Sequence, residues 1–268
     1  MRLAHRKLVV LGTALVIATG VWVGLLLARK PPVTHKGKTV REWVLLIDNT
    51  GGNDRQRHKA SSAIVAIGPK AVPELEEILA WRPRKWRDKF RPWLMRFHLI
   101  RQDEMWPQEV VNRACEAAYN VGEDSSTDIQ SLIPHLEFHF TNGTYAYSSS
   151  SRALTSAGPR GIALLTNLMV SGSDYLRNES ALALRHVNQR PEVTAALIRM
   201  LNTETNAILR VNALLYVQGS DAPAEVLVPL GLKSLRSTNA YERQKAKWIL
   251  LKYRHVEEVR AALAESEP

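Results

Sequence analysis

One pattern returns along the chain and limits what the chain can become. Residues 57–68 read RHKASSAIVAIG, in which Arg57, Ala60, Ala63, Ile64 and Ile67 fall at helical spacing. A shift of 120 residues lays Arg177, Ser180, Ala183, Leu184 and Val187 on those positions. Shifts of 153 and 186 give Arg210, Ala213, Tyr216 and Val217, then Arg243, Ala246, Ile249 and Leu250. The last three arginines therefore stand 33 residues apart. Two further copies, at shifts of 54 and 90, keep Ala114, Ala117, Val121 and Gly122, then Ala153, Leu154, Gly158 and Pro159. They hold Val111 and Tyr147 where the other copies hold arginine.

A second apolar segment follows each copy, over 72–79, 129–136, 162–170, 193–201, 226–235 and 256–263. Most have i, i+3, i+4 spacing, as Val193, Leu197, Ile198 and Leu201 do. Gly and Pro stand between many of the paired segments, where they break helices. No run alternates with period two for long, so a substantial β-sheet is not expected. The reading is all-α, with twelve short helices in about six antiparallel pairs. One pair cannot bury its own apolar face, and stacking pairs into an α-solenoid gives a continuous core. Small alanines at facing positions let the helices approach closely.

The start of the chain reads differently. Residues Leu8 to Ala28, LVVLGTALVIATGVWVGLLLA, carry no charge and lie between Arg6-Lys7 and Arg29-Lys30. As a helix rising about 1.5 Å per residue they span roughly 31 Å, the thickness of a bilayer core. A cleaved signal peptide competes with this reading. Its apolar stretch is usually shorter and ends in a small-x-small site, whereas this one ends Leu25-Leu26-Leu27-Ala28-Arg29-Lys30. An uncleaved single-pass anchor over 1–30 is expected. Counting Lys and Arg alone favours a cytoplasmic C-side, with Arg29, Lys30, Lys36, Lys38 and Arg41 after the apolar stretch, but the rule is weak before a long domain. The short positive tail is expected inside and the following domain outside the cytoplasm. Pro31-Pro32 end the helix, and 31–38 read as an extended linker. The solenoid then covers 39–264 and a tail 265–268.

Charge is concentrated in the same half. Residues 1–102 hold 20 Lys+Arg against 7 Asp+Glu, and 103–268 hold 16 against 19. The formal net charge of +10 is thus a property of the first part. Such asymmetry fits a membrane-surface or nucleic-acid contact, or simply a solvated face beside an anchor. The single cysteine, Cys115, excludes an internal disulfide framework and a zinc site of two thiolates.

The interval between the first two copies is 54 residues, about 20 longer than the others. The excess lies in 81–106, WRPRKWRDKFRPWLMRFHLIRQDEMW, with eight Arg/Lys, three Asp/Glu and four of the seven Trp. Trp86, Phe90, Trp93, Phe97 and Ile100 share one helical face, which Pro92 should break. Three uses are open. The segment packs on the solenoid as an extra hairpin; it contacts an acidic protein; or it holds anionic lipid head groups beside the anchor. Aromatic–basic interleaving also suits single-stranded nucleic acid, which a membrane anchor disfavours. The contact residues expected are Arg82, Arg84, Lys85, Trp86, Arg87, Lys89, Arg91, Trp93 and Arg96.

Reactive constellations are scarce. The sequence has no Gly-rich phosphate loop, G-x-S-x-G, H-E-x-x-H or C-x-x-C. His135 and His139 are i, i+4 in PHLEFHF, a spacing that can share a metal, but no third ligand is evident. Ser148–Ser151 follows Asn142-Gly143 and reads as part of an irregular loop at 140–151. Cys115 beside Ala114 reads as a buried thiol. Asn142 and Asn178 match the glycosylation acceptor pattern, which matters only in a eukaryotic secretory pathway. No catalytic residue, metal or cofactor is expected.

The Arg–Ala copies, with IGPKAVPEL at 67–75, resemble HEAT or HEAT-like repeats. KGKTVREWV (36–44) and the basic segment ending RFH (96–98) resemble a bacterial family of membrane-anchored HEAT-repeat proteins. The resemblance covers about 36–263. It implies an α-solenoid fold and a scaffold that binds another protein, without an assigned activity. HEAT-like repeats also resemble those of bilin lyase subunits, which would imply an accessory or enzyme acting on a protein or chromophore. A spacer without a specific ligand is the third reading.

Overall fold

The computed structural model describes residues 32–47, 54–82, 107–124, 126–142, 147–220 and 222–266. The apolar segment Leu8 to Ala28 lies outside these residues. Among the described residues, no helix is long and apolar enough to cross a membrane.

The described part opens on a small antiparallel hairpin, β1 (Thr34–His35) with β2 (Lys38–Thr39). This differs from the extended linker expected over 31–38. The turn residues Lys36 and Gly37 both take positive φ, 49° and 76°, the backbone a tight two-residue hairpin needs. The indole of Trp43 donates to the His35 carbonyl at 3.0 Å and ties the hairpin down. Helix α1 (Val40–Leu45) starts at once with a capping box: Thr39 and Glu42 satisfy each other's backbone N–H groups.

The rest is helical: α2 (Asp54–Ile67), α3 (Val72–Leu79), α4 (Pro107–Glu123), α5 (Ile133–Thr141), α6 (Tyr147–Ser156) and α7 (Pro159–Ser171). Then come α8 (Asp174–Leu184), α9 (Pro191–Thr203), α10 (Ala207–Gln218), α11 (Ala224–Leu235), α12 (Ala240–Leu250) and α13 (Glu257–Glu265). The helix starts repeat their chemistry. Ser173, Asn206 and Asn239, again 33 residues apart, cap α8, α10 and α12 by accepting from Leu176, Ile208 and Glu242 N–H. Prolines stand in the first turn of α3, α5, α7 and α9, where a missing N–H costs nothing.

The helices form two rows. The even-numbered helices α2 to α12 each pack on the next even-numbered one, while α3 with α5, α7 with α9 and α11 with α13 make contacts in the second row. The first row supplies alanines: Ala60, Ala114, Ala181, Ala213 and Ala246 are fully buried. The second supplies Leu75, Leu136, Leu165 and Leu197, also fully buried. Each such leucine contributes about 1.5–3 kcal/mol by leaving water. The closest stacking in the first row joins α4 to α6, where Ala114, Ala117 and Ala118 are buried on one helix and Ser150 and Ala153 on the other.

Two readings of the sequence change here. The repeating unit and the packed hairpin are offset by one helix. The intimate consecutive partners are α5 with α6, α7 with α8, α9 with α10 and α11 with α12, so the second helix of one copy lies along the first of the next. Within copies one, two, four and six the link carries a single 3-10 turn, such as 68–71 or 185–187. Secondly, Ser148–Ser151 is not loop but the first half of α6. Ser149, Ser150 and Ser151 are buried, and Ser151 returns its hydroxyl to the Ser148 carbonyl. Serine is small enough for the close α4–α6 crossing and here satisfies itself on its own helix.

Candidate functional site

The repeated arginines build the most organised polar feature among the described residues. In each of the last three copies Nη1 donates back to the loop that precedes its own helix. Arg177 reaches Gly172 O (3.0 Å), Arg210 reaches Glu204 O and Thr205 O (3.1 and 2.6 Å), and Arg243 reaches Ser237 O and Thr238 O (2.9 and 2.8 Å). These carbonyls sit where one helix ends and the next begins, and each needs a donor.

The other side of the guanidinium links neighbouring copies. Arg177 Nε lies 2.8 Å from Glu204 Oε2. Arg210 grips Glu242 with two parallel bonds, Nε to Oε1 at 3.1 Å and Nη2 to Oε2 at 2.7 Å. Arg57 Nη2 donates to Glu116 Oε1 at 2.7 Å, and Arg152 lies 3.6 Å from the other oxygen. Glu116, Glu204 and Glu242 are all but fully buried side chains. Burial pushes the Glu242 carboxyl up, but hydrogen bonds from Arg210 and Ser237 outweigh it and hold the group below the usual carboxylate range.

Above these pairs the fold sets out a row of exposed side chains. Tyr175, Ile208 and Tyr241 are 44%, 62% and 49% exposed. Each lies two residues before its arginine, on the first turn of α8, α10 and α12, helices that pack one on the next. Lys245 stands over the Tyr241 ring at 5.2 Å. Beside this edge is a cleft of about 240 Å³, with Glu204, Arg210, Ser237 and Glu242 at its base and Leu201 and Leu230 on its walls. No known family model and no curated protein matches the chain. The geometry itself therefore carries the functional argument: an apolar and aromatic row over a rigid, ion-paired base offers contact area, and every buried carboxylate in that base already faces an arginine.

The expected contact segment is seen only at its root. Arg84, Lys85, Trp86, Arg87, Lys89, Arg91, Trp93 and Arg96 lie outside the described residues. Arg82 is half-buried and built into the fold: its guanidinium donates to Leu79 O and Trp81 O at 2.8 and 3.0 Å, lies 3.1 Å from His135 Nδ1 and stacks 3.8 Å over the Phe138 ring. It seals the C-terminal end of α3, and burial lowers its pKa. The sequence missed the Tyr175–Ile208–Tyr241 row, although the period of 33 marks it: the position two before each anchor is large and apolar in the last three copies.

His135 and His139 serve the same junction. His139 is fully buried with Nε2 2.9 Å from Leu79 O, and His135 also lies 3.8 Å from Glu76. Among the described residues no three His, Cys, Asp or Glu side chains gather as a metal site. Cys115 is fully buried, and burial, with Glu116 beside it, pushes its thiol far above the ordinary range. Asn178 accepts from Asn212 at 2.7 Å and bridges α8 to α10.

His139 yields a pH prediction. Burial pushes its pKa below the ordinary value, against the Leu79 contact and with the aid of Arg82 and His135. The unfolded chain therefore takes up a proton near pH 6.5 that the folded chain refuses. Stability from this group is present above that pH and is lost as pH falls towards the folded pKa. His139→Gln should destabilise the protein at pH 7.5 by about 1–3 kcal/mol, and by less at pH 5.5. Urea unfolding at the two pH values measures this; an equal penalty at both would refute it.

Proposed function

We propose that the chain is a single-pass, membrane-anchored HEAT-like α-solenoid of six copies that binds another protein and catalyses no reaction. Leu8 to Ala28 form the anchor, with the solenoid on the extracytoplasmic side. The observation that carries the binding reading is the row Tyr175, Ile208 and Tyr241. Three large side chains stand 44–62% exposed at equivalent positions, and aromatic residues on a rigid base are what protein interfaces use as anchors. The pairing of Glu116, Glu204 and Glu242 with arginines favours a scaffold over a lyase-type accessory, which needs carboxylates available for proton transfer. The basic residues Arg84, Arg87 and Arg91 of the insertion add a second contact for an acidic partner.

The test is crosslinking and capture from native membranes with three proteins: the intact chain, Tyr175→Ser/Ile208→Ser/Tyr241→Ser, and Arg84→Glu/Arg87→Glu/Arg91→Glu. Exposed substitutions should change stability by no more than about 0.5 kcal/mol each. A protein captured by the intact chain should fall about tenfold or more with the serine variant. An unchanged set of captured proteins from both variants would leave the spacer reading in place.

A further inference from the structure

Among the described residues, no first-row helix packs on the outer face of α12. Aligning α10 with α12 by 33 residues shows which side chains a following helix covers. Arg210, Val211, Leu214, Leu215 and Gln218 are buried or half-buried on α10. Their counterparts Arg243, Gln244, Trp248 and Leu251 are exposed, with Lys247 half-buried. These fall at spacings that define one helical face, from which Arg210 reaches Glu242 on α12. Terminal copies of stacked-helix proteins usually close such a face with polar residues. Here Trp248 is 56% exposed and Leu251 48% exposed.

Arg243 shows what is absent from that face. Its Nη1 makes the same two loop contacts as Arg210. Arg210 then turns Nε and Nη2 onto Glu242, which the next copy supplies from the first turn of its first-row helix. Among the described residues no carboxylate pairs with Arg243. The guanidinium is held in position by the loop carbonyls, which leave Nε and Nη2, the atoms Arg210 uses on Glu242, without a carboxylate among the described residues.

We infer that the α12 end face docks an amphipathic helix of another protein, which continues the first row and presents a carboxylate from its first turn to Arg243 and apolar residues to Trp248 and Leu251. Charge selects the occupant. Arg243 and Lys252, both exposed, make the face basic, and the acidic pair Glu257-Glu258 follows only beyond the C-terminal end of α12. The acidic end of the docked helix is therefore at Arg243. A second copy of this chain fits poorly. Joining two end faces opposes Arg243 to itself, and joining this end to the other brings it against Arg55, His58 and Lys59, exposed on α2. The inference rests on the protein-binding reading above and adds the partner's chemistry and the place it docks.

The test uses the full chain in detergent and a fluorescent synthetic peptide as probe. The peptide carries residues 239–251 with Arg243→Ala, Lys245→Glu and Lys247→Glu, so it keeps Glu242 in its first turn. Anisotropy titration should give saturable binding that Arg243→Glu or Trp248→Ala in the protein weakens at least about tenfold. The charge reversal at 84, 87 and 91 should leave it unchanged, and so should Tyr175→Ser/Ile208→Ser, which lies on α8 and α10 and spares α12. A Glu242→Gln peptide should bind several-fold more weakly. No binding, or binding indifferent to both Arg243→Glu and Trp248→Ala, overturns the inference. So does Trp248-dependent attachment to phosphatidylcholine–phosphatidylserine vesicles in place of the peptide, or self-association abolished by Arg243→Glu. Failure here with capture at the Tyr175–Ile208–Tyr241 row intact would remove the end-face site alone; failure of both would remove the binding reading.

Discussion

Arg210→Met is expected to lower the unfolding free energy by about 3–5 kcal/mol, because it leaves the Glu242 carboxylate buried without its cation. For a chain of this size that is a fall in the thermal midpoint of roughly 10 °C. Glu242→Gln should cost less, since Arg210 stays partly in water and keeps its contacts with Glu204 O and Thr205 O. The double variant Arg210→Met/Glu242→Leu should recover most of the loss, as apolar replacements of buried ion pairs often do. The damage should also be local. Stacked-helix stability is a chain of nearest-neighbour interfaces, so α12 and α13 should lose hydrogen-exchange protection first while α8 keeps its own. The pair adds an acid dependence. Because Glu242 is held below the usual carboxylate range, its contribution is complete above about pH 4.5 and is lost as pH falls through the folded value. Arg210→Met should flatten the acid limb of the stability curve. Equal costs for the two single variants, or uniform loss of protection along the chain, would refute this account.

The arginines show how far the sequence could be read. Their period was visible because a loop carbonyl five residues earlier recurs as the partner in each of the last three copies, and that bond calls for one residue type at one offset. Their carboxylate partners follow no such rule. Glu242 stands one residue before its copy's arginine, Glu204 stands in the loop six before, and Glu116 lies five after the anchor position held by Val111. Any position on the facing helix that reaches the guanidinium can supply the charge, and a search by period passes over it. The glycines divide in the same way. Gly68 and Gly158, matched by the copies, both take positive φ, 60° and 77°. Gly122, matched to them by alignment, does not; a side chain there would meet Ser156 and Ile129 at 2.5 and 2.6 Å. One letter carries a backbone requirement in two copies and a close contact in the third.

The helix register was legible for the same reason the class was: 72–79 follows from apolar spacing and a proline start alone. The hairpin at 34–39 and the serine half of α6 were not, because neither rests on apolar period. The hairpin depends on a Lys-Gly turn and one indole bond. The serines are buried only because α4 brings alanines to them, a fact about the partner helix.

Gly161→Ala tests that last kind of dependence most sharply. Gly161 is the third residue of α7, and a Cβ there would stand 1.9 Å from the Leu154 carbonyl oxygen and 3.2 Å from the Ala157 Cβ. The first obstacle is backbone in the last turn of α6, which no rotamer change removes. The start of α7 must move off α6, and the fully buried Leu154 and almost fully buried Ile162 lose packing with it. Alanine's better helix propensity returns only about 1 kcal/mol. A net loss of at least about 3 kcal/mol is expected, at the upper end of overpacked cores. Gly231→Ala is the control. Its new Cβ would meet Leu250 Cδ2 at 2.7 Å, the end of a side chain that can turn away, so its penalty should stay below about 1.5 kcal/mol. Urea denaturation of the two variants decides the matter. If Gly161→Ala were the milder change, the α6–α7 contact would have to be looser than the Leu154–Gly161 approach requires, and the packing of the two helices of copy three would need another physical basis.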